Sequence, residues 1–317
     1  MLLSVIIPCY HSQDTIEPVV ERILKTVRQD GRYDLEIILV NDNAPDEAWT
    51  KISELADRHP EVTGISMMKN SGQHAALLAG YRYSRGDVVV AMDDDGQNPP
   101  EEMFKLVDGL GKDADVVFGD YPDEGKFASG FRAFGSKIND LMAVWLLGKP
   151  KDLYLSSYVA SKRQVVDEII RYRGPFPYVD GLLLRSTDRF KNVKVDHKDR
   201  MEGESGYSLG SLLKLWMNGF TAFSTVPLRI SSLAGFFFTC IGCIWILITI
   251  VQKWIMNMDI AAGWPSIICL LLVIGGLILL SLGLIGEYIG RIYITINQSP
   301  QYVVYDVYRG VNEKQTV

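Results

Sequence analysis

The chain has 317 residues, with 32 basic against 38 acidic side chains and a formal net charge of −6. A mildly acidic chain speaks against nucleic acid as a partner, since such binders usually show a basic face. Hydrophobic residues make up 48 % and charged ones 22 %, which excludes a disordered chain and allows a sizeable core.

Residues 2–7 form an apolar run closed by Pro8 and read as a strand. Asp14 with Glu17 has capping-box spacing, and Ile16, Val19, Val20, Ile23, Leu24 and Val27 follow at helical spacing. Residues 35–40 are a second strand, a continuous apolar run of the kind buried on both faces. A helix over about 46–57, a strand over 62–68, a helix over 72–83 and strands over 87–92 and 114–118 complete the pattern. Regular alternation of strand and helix predicts an α/β domain with a mostly parallel sheet. Neither a G-x-G-x-x-G nor a G-x-x-x-x-G-K-[ST] motif occurs, so the dinucleotide and P-loop fingerprints are both absent.

The C-terminal part has a different composition. Between positions 231 and 286 the only charged residues are Lys253 and Asp259. Uncharged runs at 233–251 and 265–286 are each long enough for a helix to cross a ~30 Å hydrocarbon core. The competing reading, two buried core helices, is unusual for two such runs in succession. Trp254 and Trp264 flank the short connection, where interfacial aromatics are expected. Two spans put both chain ends on one side. MLLSVIIPCY has neither a basic leader nor a cleavage site, so the N-terminal part is expected to stay in the cytosol. Arg229 and Arg291 against Lys253 lean the same way. The stretch 207–223 reads as an interfacial amphipathic helix, the alternative being a core helix of the globule. Cys240 and Cys243 form a CxxC inside the first run, where small packing residues are a better account than a metal or redox site. The expected organisation is 1–206 catalytic, 207–230 interfacial, 231–289 two transmembrane helices and 290–317 a cytosolic tail.

Open α/β sheets bind ligands beyond the carboxyl ends of their strands. Those ends carry Pro8-Cys9-Tyr10, Asn41-Asp42-Asn43, Lys69 to His74, and Asp93-Asp94-Asp95-Gly96-Gln97. Three adjacent carboxylates raise one another's pKa values unless a cation sits among them. Oxygen ligands suit Mg²⁺ or Mn²⁺, which bridge carboxylates to substrate phosphates. The alternative is a solvated acidic Asp-Gly turn.

The strings SVIIPCY, ILVNDNAPDEAW and NSGQHAALLAGYRYSRGDVVVAMDDDGQNPPEE, with His197-x-x-Arg200 and Ser205-Gly206-Tyr207, resemble family-2 glycosyltransferases with the nucleotide-diphospho-sugar transferase (A-type) fold. With two C-terminal spans the chain is similar to the polyisoprenyl-phosphate glycosyltransferases, over about residues 2–300. The resemblance implies a glycosyltransferase using a nucleotide-diphospho-sugar, a UDP-sugar, and a polyprenyl phosphate acceptor, undecaprenyl phosphate. It implies a multi-pass protein of the inner membrane in envelope glycan synthesis, and a homo-oligomer, a tetramer being one form. Pro8, Tyr10, Asp42, Asn70, Gln73, Asp93 and Asp94 would bind the nucleotide, and Asp95 and Gln97 a Mg²⁺ or Mn²⁺ ion. Asp152 would act as base or orient the acceptor; Arg132 and Arg200 would bind the diphosphate or the lipid phosphate. His11-Ser12-Gln13 departs from the family's Asn-Glu-Glu, Val159 replaces a frequent Arg and Gly206 a frequent Lys.

Other roles stand beside these. Asp42 can cap a helix, Arg132 can be a surface arginine, and His74 can be a structural hydrogen-bonding residue. A lipid phosphomonoester has a second pKa of about 6 and is mostly ionised at neutral pH, which weakens the demand on Asp152 as a base. Direct displacement would invert the anomeric centre. A processive polysaccharide synthase would carry QxxRW and more spans, and a non-catalytic membrane scaffold would not need the acid triplet. Gly235, Thr239 and Cys243, and likewise Gly286 and Gly290, recur every four residues, a spacing that lets helices pack closely.

Overall fold

The computed structural model describes residues 1–121, 149–174, 177–196, 264–297 and 300–310, with a few isolated positions between. The chain forms two compact units, Met1–Ser208 with Gln298–Val317, and Leu209–Asn297.

In the first unit β1 (Leu2–Cys9), α1 (Ile16–Asp30), β2 (Asp34–Asn41), α2 (Ala48–Arg58), β3 (Val62–Met67), α3 (Gln73–Tyr83) and β4 (Val88–Ala91) alternate as the sequence predicts. A short 3₁₀ turn at Pro100–Glu102 leads into α4 (Met103–Gly109) and β5 (Val116–Asp120). Next come β6 (Val159–Lys162), α5 (Arg163–Ile169), α6 (Val179–Ser186) and β7 (Phe190–Lys194). β8 (Val304–Tyr308) closes the described part of the chain. The sheet order is β7-β5-β6-β4-β1-β2-β3-β8. β4-β1-β2-β3 is a parallel core, while β6 and β8 run antiparallel to their neighbours.

β1 is buried along almost its whole length because helices cover both faces of a parallel core. The apolar stripe of α1 (Ile16, Val19, Val20, Ile23, Leu24, Val27) is fully buried and forms one core cluster with Leu3, Val5 and Ile7 of β1. α3 lies so close to the sheet that a Cβ on Gly80 would overlap Ile6 Cγ2. The capping box at α1 does not form. Thr15 is the N-cap without a side-chain cap bond; Asp14 accepts from Gln13 Nε2, and Glu17 pairs with Arg58 at 2.6 Å. The ion pair with α2 takes the carboxylate that a capping box would have turned back onto α1.

β8 lies inside 290–317, the stretch read from sequence as a tail. Its residues pair with β3 and complete the sheet. Gln301 Nε2 donates to Tyr172 O (3.1 Å) and Gly174 O (2.6 Å), and Tyr308 OH donates to Asp57 Oδ1 (2.7 Å), so side chains also hold the returning segment.

In the second unit α7 (Trp264–Ile296) is a single helix of 33 residues. Its stretch Val273–Ile296 reaches a mean hydropathy of 1.9 over 18 residues, none of them buried, and is the one membrane-length apolar helix among the described residues. The helix continues ten residues beyond the uncharged run that ends at Gly286. Ile289, Ile292 and Ile296 stay exposed along that extension. The run 233–251 and the stretch 207–223 lie outside the described residues apart from isolated helical positions.

Candidate functional site at the strand ends

β1 and β4 are hydrogen-bonded neighbours, yet the chain visits β2 and β3 between them. The chain leaves β1 to one side and returns on the other, and ligands of open α/β sheets bind beyond the carboxyl ends of such a strand pair. Those ends carry Tyr10 and the triplet Asp93-Asp94-Asp95. The Tyr10 N–H donates to Asp94 Oδ2 at 3.3 Å, which ties the two strand ends together. The Tyr10 ring is exposed and meets His11 edge-on at 4.5 Å.

Each acid of the triplet has its own setting. Asp93 Oδ1 accepts from Gln73 Nε2 at 2.8 Å, and its Oδ2 accepts from the Ser157 hydroxyl. The carboxylate therefore joins the start of α3 to the loop before β6. Burial pushes Asp94 up to about 6, with Asp93 and Asp95 adding to the shift and the Tyr10 N–H offsetting part of it. Asp95 is half-buried, and its Oδ1 accepts the Gln97 N–H at 3.1 Å. Beyond it Asn98 is buried, with Oδ1 accepting from Tyr121 OH at 2.7 Å. Tyr158 OH donates to Pro99 O at 2.9 Å.

Asp42 supports the neighbouring wall. Its two oxygens accept the N–H groups of Ser71 (2.7 Å) and Gly72 (2.8 Å) at the N-terminus of α3. Gly72 has φ 90, a conformation an L side chain resists, and this turn presents both N–H groups to one carboxylate. Burial raises the Asp42 pKa while these two bonds oppose it. Asp42 thus organises the helix after β3, not the one after β2. Two residues beyond β1 and β2, His11 (φ 60) and Asn43 (φ 50) are non-glycine residues in the left-handed region. Gln13 joins these two loops, donating its N–H to Asp46 Oδ2 (3.1 Å) and accepting the Glu47 N–H at 3.2 Å. His74 is held by Val179 N–H at 3.4 Å and by Tyr178 edge-on at 4.8 Å, and burial lowers its pKa. Those contacts match its structural reading.

Of the residues expected from sequence, Tyr10, Asp42, Gln73, Asp93 and Asp94 come together around the ends of β1, β2 and β4 and the start of α3, with Asp95 and Gln97 adjoining. Pro8 is buried within β1, in register with Val40. Asn70 is exposed beyond β3. Asp152 stands exposed on the turn where the Leu153 N–H donates to Pro150 O at 3.1 Å. Arg132, Arg200, His197 and Ser205 to Tyr207 lie outside the described residues. The sequence reading picks out Asp152 and Val159 on either side of Ser157 but not Ser157 itself.

No group of three or more His, Cys, Asp or Glu side chains converges into a metal cage among the described residues. The donors present, the half-buried Asp95 carboxylate with Gln97 two residues on, would suit a hard dication, which takes one or two carboxylates from a protein and fills its remaining positions with water and substrate phosphate.

The pattern Glycosyl transferase family 2 matches residues 4–134, and GtrB C-terminal hairpin matches residues 226–292. The chain is 32 % identical over 318 residues to the uncharacterized glycosyltransferase YkcC of Bacillus subtilis, covering 98 % of this chain and 95 % of that one. The chain belongs to glycosyltransferase family 2. It is also 30 % identical to the undecaprenyl-phosphate 4-deoxy-4-formamido-L-arabinose transferase of Aeromonas hydrophila, over 97 % of this chain and 94 % of the relative. The enzyme of that name from Pectobacterium carotovorum is 32 % identical, over 95 % and 92 %. Glucosyl-3-phosphoglycerate synthase of Mycobacterium tuberculosis, solved with Mn²⁺ and uridine-diphosphate-glucose, shares the fold. Its TM-score is 0.50 at 19 % identity, over 69 % of this chain and 77 % of that one. The family-2 chain is a glycosyltransferase with an A-type-like α/β fold, as its sequence resemblance implied.

Proposed function

We propose that this glycosyltransferase moves a sugar from a UDP-sugar to a polyprenyl phosphate, undecaprenyl phosphate, at the cytosolic face of the inner membrane. The observation that carries the reading is the acid triplet fixed at the switch point between β1 and β4. The names of the curated relatives and the apolar α7 support the lipid acceptor. The exposed Tyr10 ring offers a stacking face for the nucleobase. Pro8, Asp42, Asn70 and Gln73 shape the pocket from the ends of β1, β2 and β3. Asp93 and Asp94 face the nucleotide, and Asp95 and Gln97 would hold a Mg²⁺ or Mn²⁺ ion. When bound, such an ion stabilises the charge that builds on the leaving diphosphate.

The protein's own part is positioning. Gln73 and Ser157 fix Asp93 from two sides, and the Asp42 clamp fixes the start of α3, so the acids need not reorganise as charge develops. Arg132 and Arg200 are assigned to the phosphates. The acceptor phosphate arrives largely ionised and attacks from the face opposite the leaving group, inverting the anomeric centre. Asp152 orients it. Residues 1–206, with β8 completing their sheet, form the catalytic part, 207–230 lie at the interface, 231–289 form a two-helix hairpin, and both ends of the chain are cytoplasmic. The small residues spaced by four in the two runs pack copies into a homo-oligomer.

The test is incubation of the full chain in nanodiscs with a panel of sugar nucleotides, with and without polyprenyl phosphate and Mg²⁺ or Mn²⁺. Polyprenyl-dependent, cation-dependent release of nucleoside diphosphate with a glycolipid product supports the reading. Polymer product would favour a processive synthase, and no product with any donor would sink the assignment.

A further inference from the structure

The loop between the turn at Pro150–Leu153 and β6 is sewn to the acid loop and to β7. Ser157 bonds Asp93, Tyr158 OH bonds Pro99 O at 2.9 Å, and Tyr121, bonded to Asn98, meets Tyr154 edge-on at 6.2 Å. On the far side one amide grips the backbone of Tyr154 twice. Asn192 Oδ1 accepts the Tyr154 N–H at 2.9 Å, and Asn192 Nδ2 donates to Tyr154 O at 2.8 Å. These contacts place Tyr154 three residues before the partner of Asp93, and the residue is 37 % exposed.

A single exposed tyrosine is ordinary on a protein surface. Fixation separates this one from the ordinary case. An exposed side chain normally keeps its rotamer freedom, whereas here the backbone is clamped at both polar groups and the ring is set against a second, buried tyrosine. The order is already in place before a ligand arrives, so binding to the ring costs little further entropy. An aromatic face is electron-rich and apolar, which suits a ring that presents polarised C–H bonds.

We infer that Tyr154 contacts the sugar being transferred, stacking on the C–H face of a pyranose, and helps determine which sugar nucleotide is accepted. The inference rests on the sugar-transfer reading above. Tyr154 stands on the loop that Ser157 ties to Asp93, the acid assigned to the nucleotide, so a donor sugar extending to that side of the acids would meet its ring. Hydrogen-bonding groups would read the sugar's hydroxyls, and the tyrosine supplies the complementary apolar wall.

The experiment uses the full chain in nanodiscs and the sugar nucleotide that wild type turns over. It compares wild type, Tyr154→Phe and Tyr154→Ala. Three quantities are read: the KM for the donor, the inhibition constant of UDP alone, and the KM for polyprenyl phosphate. Tyr154→Ala is expected to raise donor KM or lower kcat/KM about 10- to 100-fold, the range one pocket contact supplies. The UDP inhibition constant and the lipid KM should stay within about twofold, because neither probe carries the sugar. Tyr154→Phe should stay close to wild type, and the preference ratio between two accepted sugar nucleotides should change only in Tyr154→Ala. Asn192→Ala, which releases the backbone clamp but keeps the ring, should fall between. An equal loss of UDP affinity would show that the residue only holds the loop, and a change confined to lipid KM would place it on the acceptor; either overturns the inference. Wild type inactive with every donor overturns the functional reading and takes this inference with it, whereas active wild type with an indifferent Tyr154→Ala overturns the inference alone.

Discussion

Two acidic regions of one sheet are treated in opposite ways. At the carboxyl ends of β1 and β4, Asp93, Asp94 and Asp95 are crowded together, and the bonds they accept include those from the Tyr10 and Gln97 N–H, the Gln73 amide and the Ser157 hydroxyl. At the start of β5, Asp115 accepts from Lys162 Nζ (2.8 Å), Arg189 Nε (2.7 Å), Arg189 Nη2 (2.8 Å) and Thr187 Oγ1 (3.0 Å). Burial drives Asp94 up to about 6. Burial would also raise Asp115, yet the bonds from Lys162, Arg189 and Thr187 hold it down at about 2. A carboxylate matched by the fold's own cations contributes to stability, whereas one such as Asp94, buried beside other carboxylates, gains from a cation brought from outside. The sharpest way to break this contrast is to delete one acid from each region.

The largest effect on activity is expected from Asp95→Ala. Transfer should be abolished while the unfolding midpoint of the protein in detergent moves little, because Asp95 is half-buried and sits on a turn outside the core. Initial rates with and without excess EDTA, together with a thermal melt, check both halves. Full turnover by the variant, or by wild type in EDTA, would return the triplet to a solvated acidic turn.

Asp115→Ala should do the reverse. Removing a largely buried carboxylate strands Lys162 and Arg189, at a cost of about 2 kcal/mol, read as a drop in Tm of roughly 4–8 °C. The rate per folded molecule should not change. The folded pKa of about 2 lies below an unfolded value near 3.9. Its stabilisation is therefore complete above about pH 5 and is lost as pH falls from about 4 to 2. A melt series over that range should show a shallower acid loss for the variant than for wild type. Equal slopes would mean that the ion pairs at β5 carry no linkage.

The sequence revealed these two regions unequally. Strand and helix alternation is visible as far as β5 because the parallel core is built from continuous apolar runs, and DDDGQNPP announces itself at a strand end. β6 is hidden because VASK is short and only part of a mixed string, and it runs antiparallel between two strands formed earlier in the chain. β8 is hidden because its neighbours in sequence are a membrane-length helix and a polar terminus, while its partner β3 lies some 240 residues earlier. The Ser157–Asp93 bond has no local signature, since a serine spaced by 64 positions from its partner is set beside it only by the sheet. Asp42 carries a signal, the polar end of β2, but that signal does not distinguish a ligand contact from the clamp on α3 that the structure shows.

Asp152 gives the smallest effect and the finest test of where charge must be supplied. It stands exposed on a turn, unlike the triplet, and the acceptor it would serve is a phosphomonoester with a second pKa of about 6. Above that pH the nucleophile is already a dianion, and removing a proton from it offers little. General-base assistance is worth about 10²–10⁴-fold where it is needed, so Asp152→Asn should cost about 10²-fold or less. The deficit should also shrink as pH rises, because ionisation by solvent replaces whatever the carboxylate does. Initial rates of wild type and Asp152→Asn from about pH 5.5 to 8.5 decide the matter, with donor and lipid KM measured at each end of the range. A constant, severe loss equal to that of Asp95→Ala, with both substrates still bound, would make Asp152 an obligatory base. The carboxylates of this fold would then fall into three kinds: those crowded together at the strand ends, those matched by neighbouring cations, and one kept exposed so that it can take the acceptor's proton.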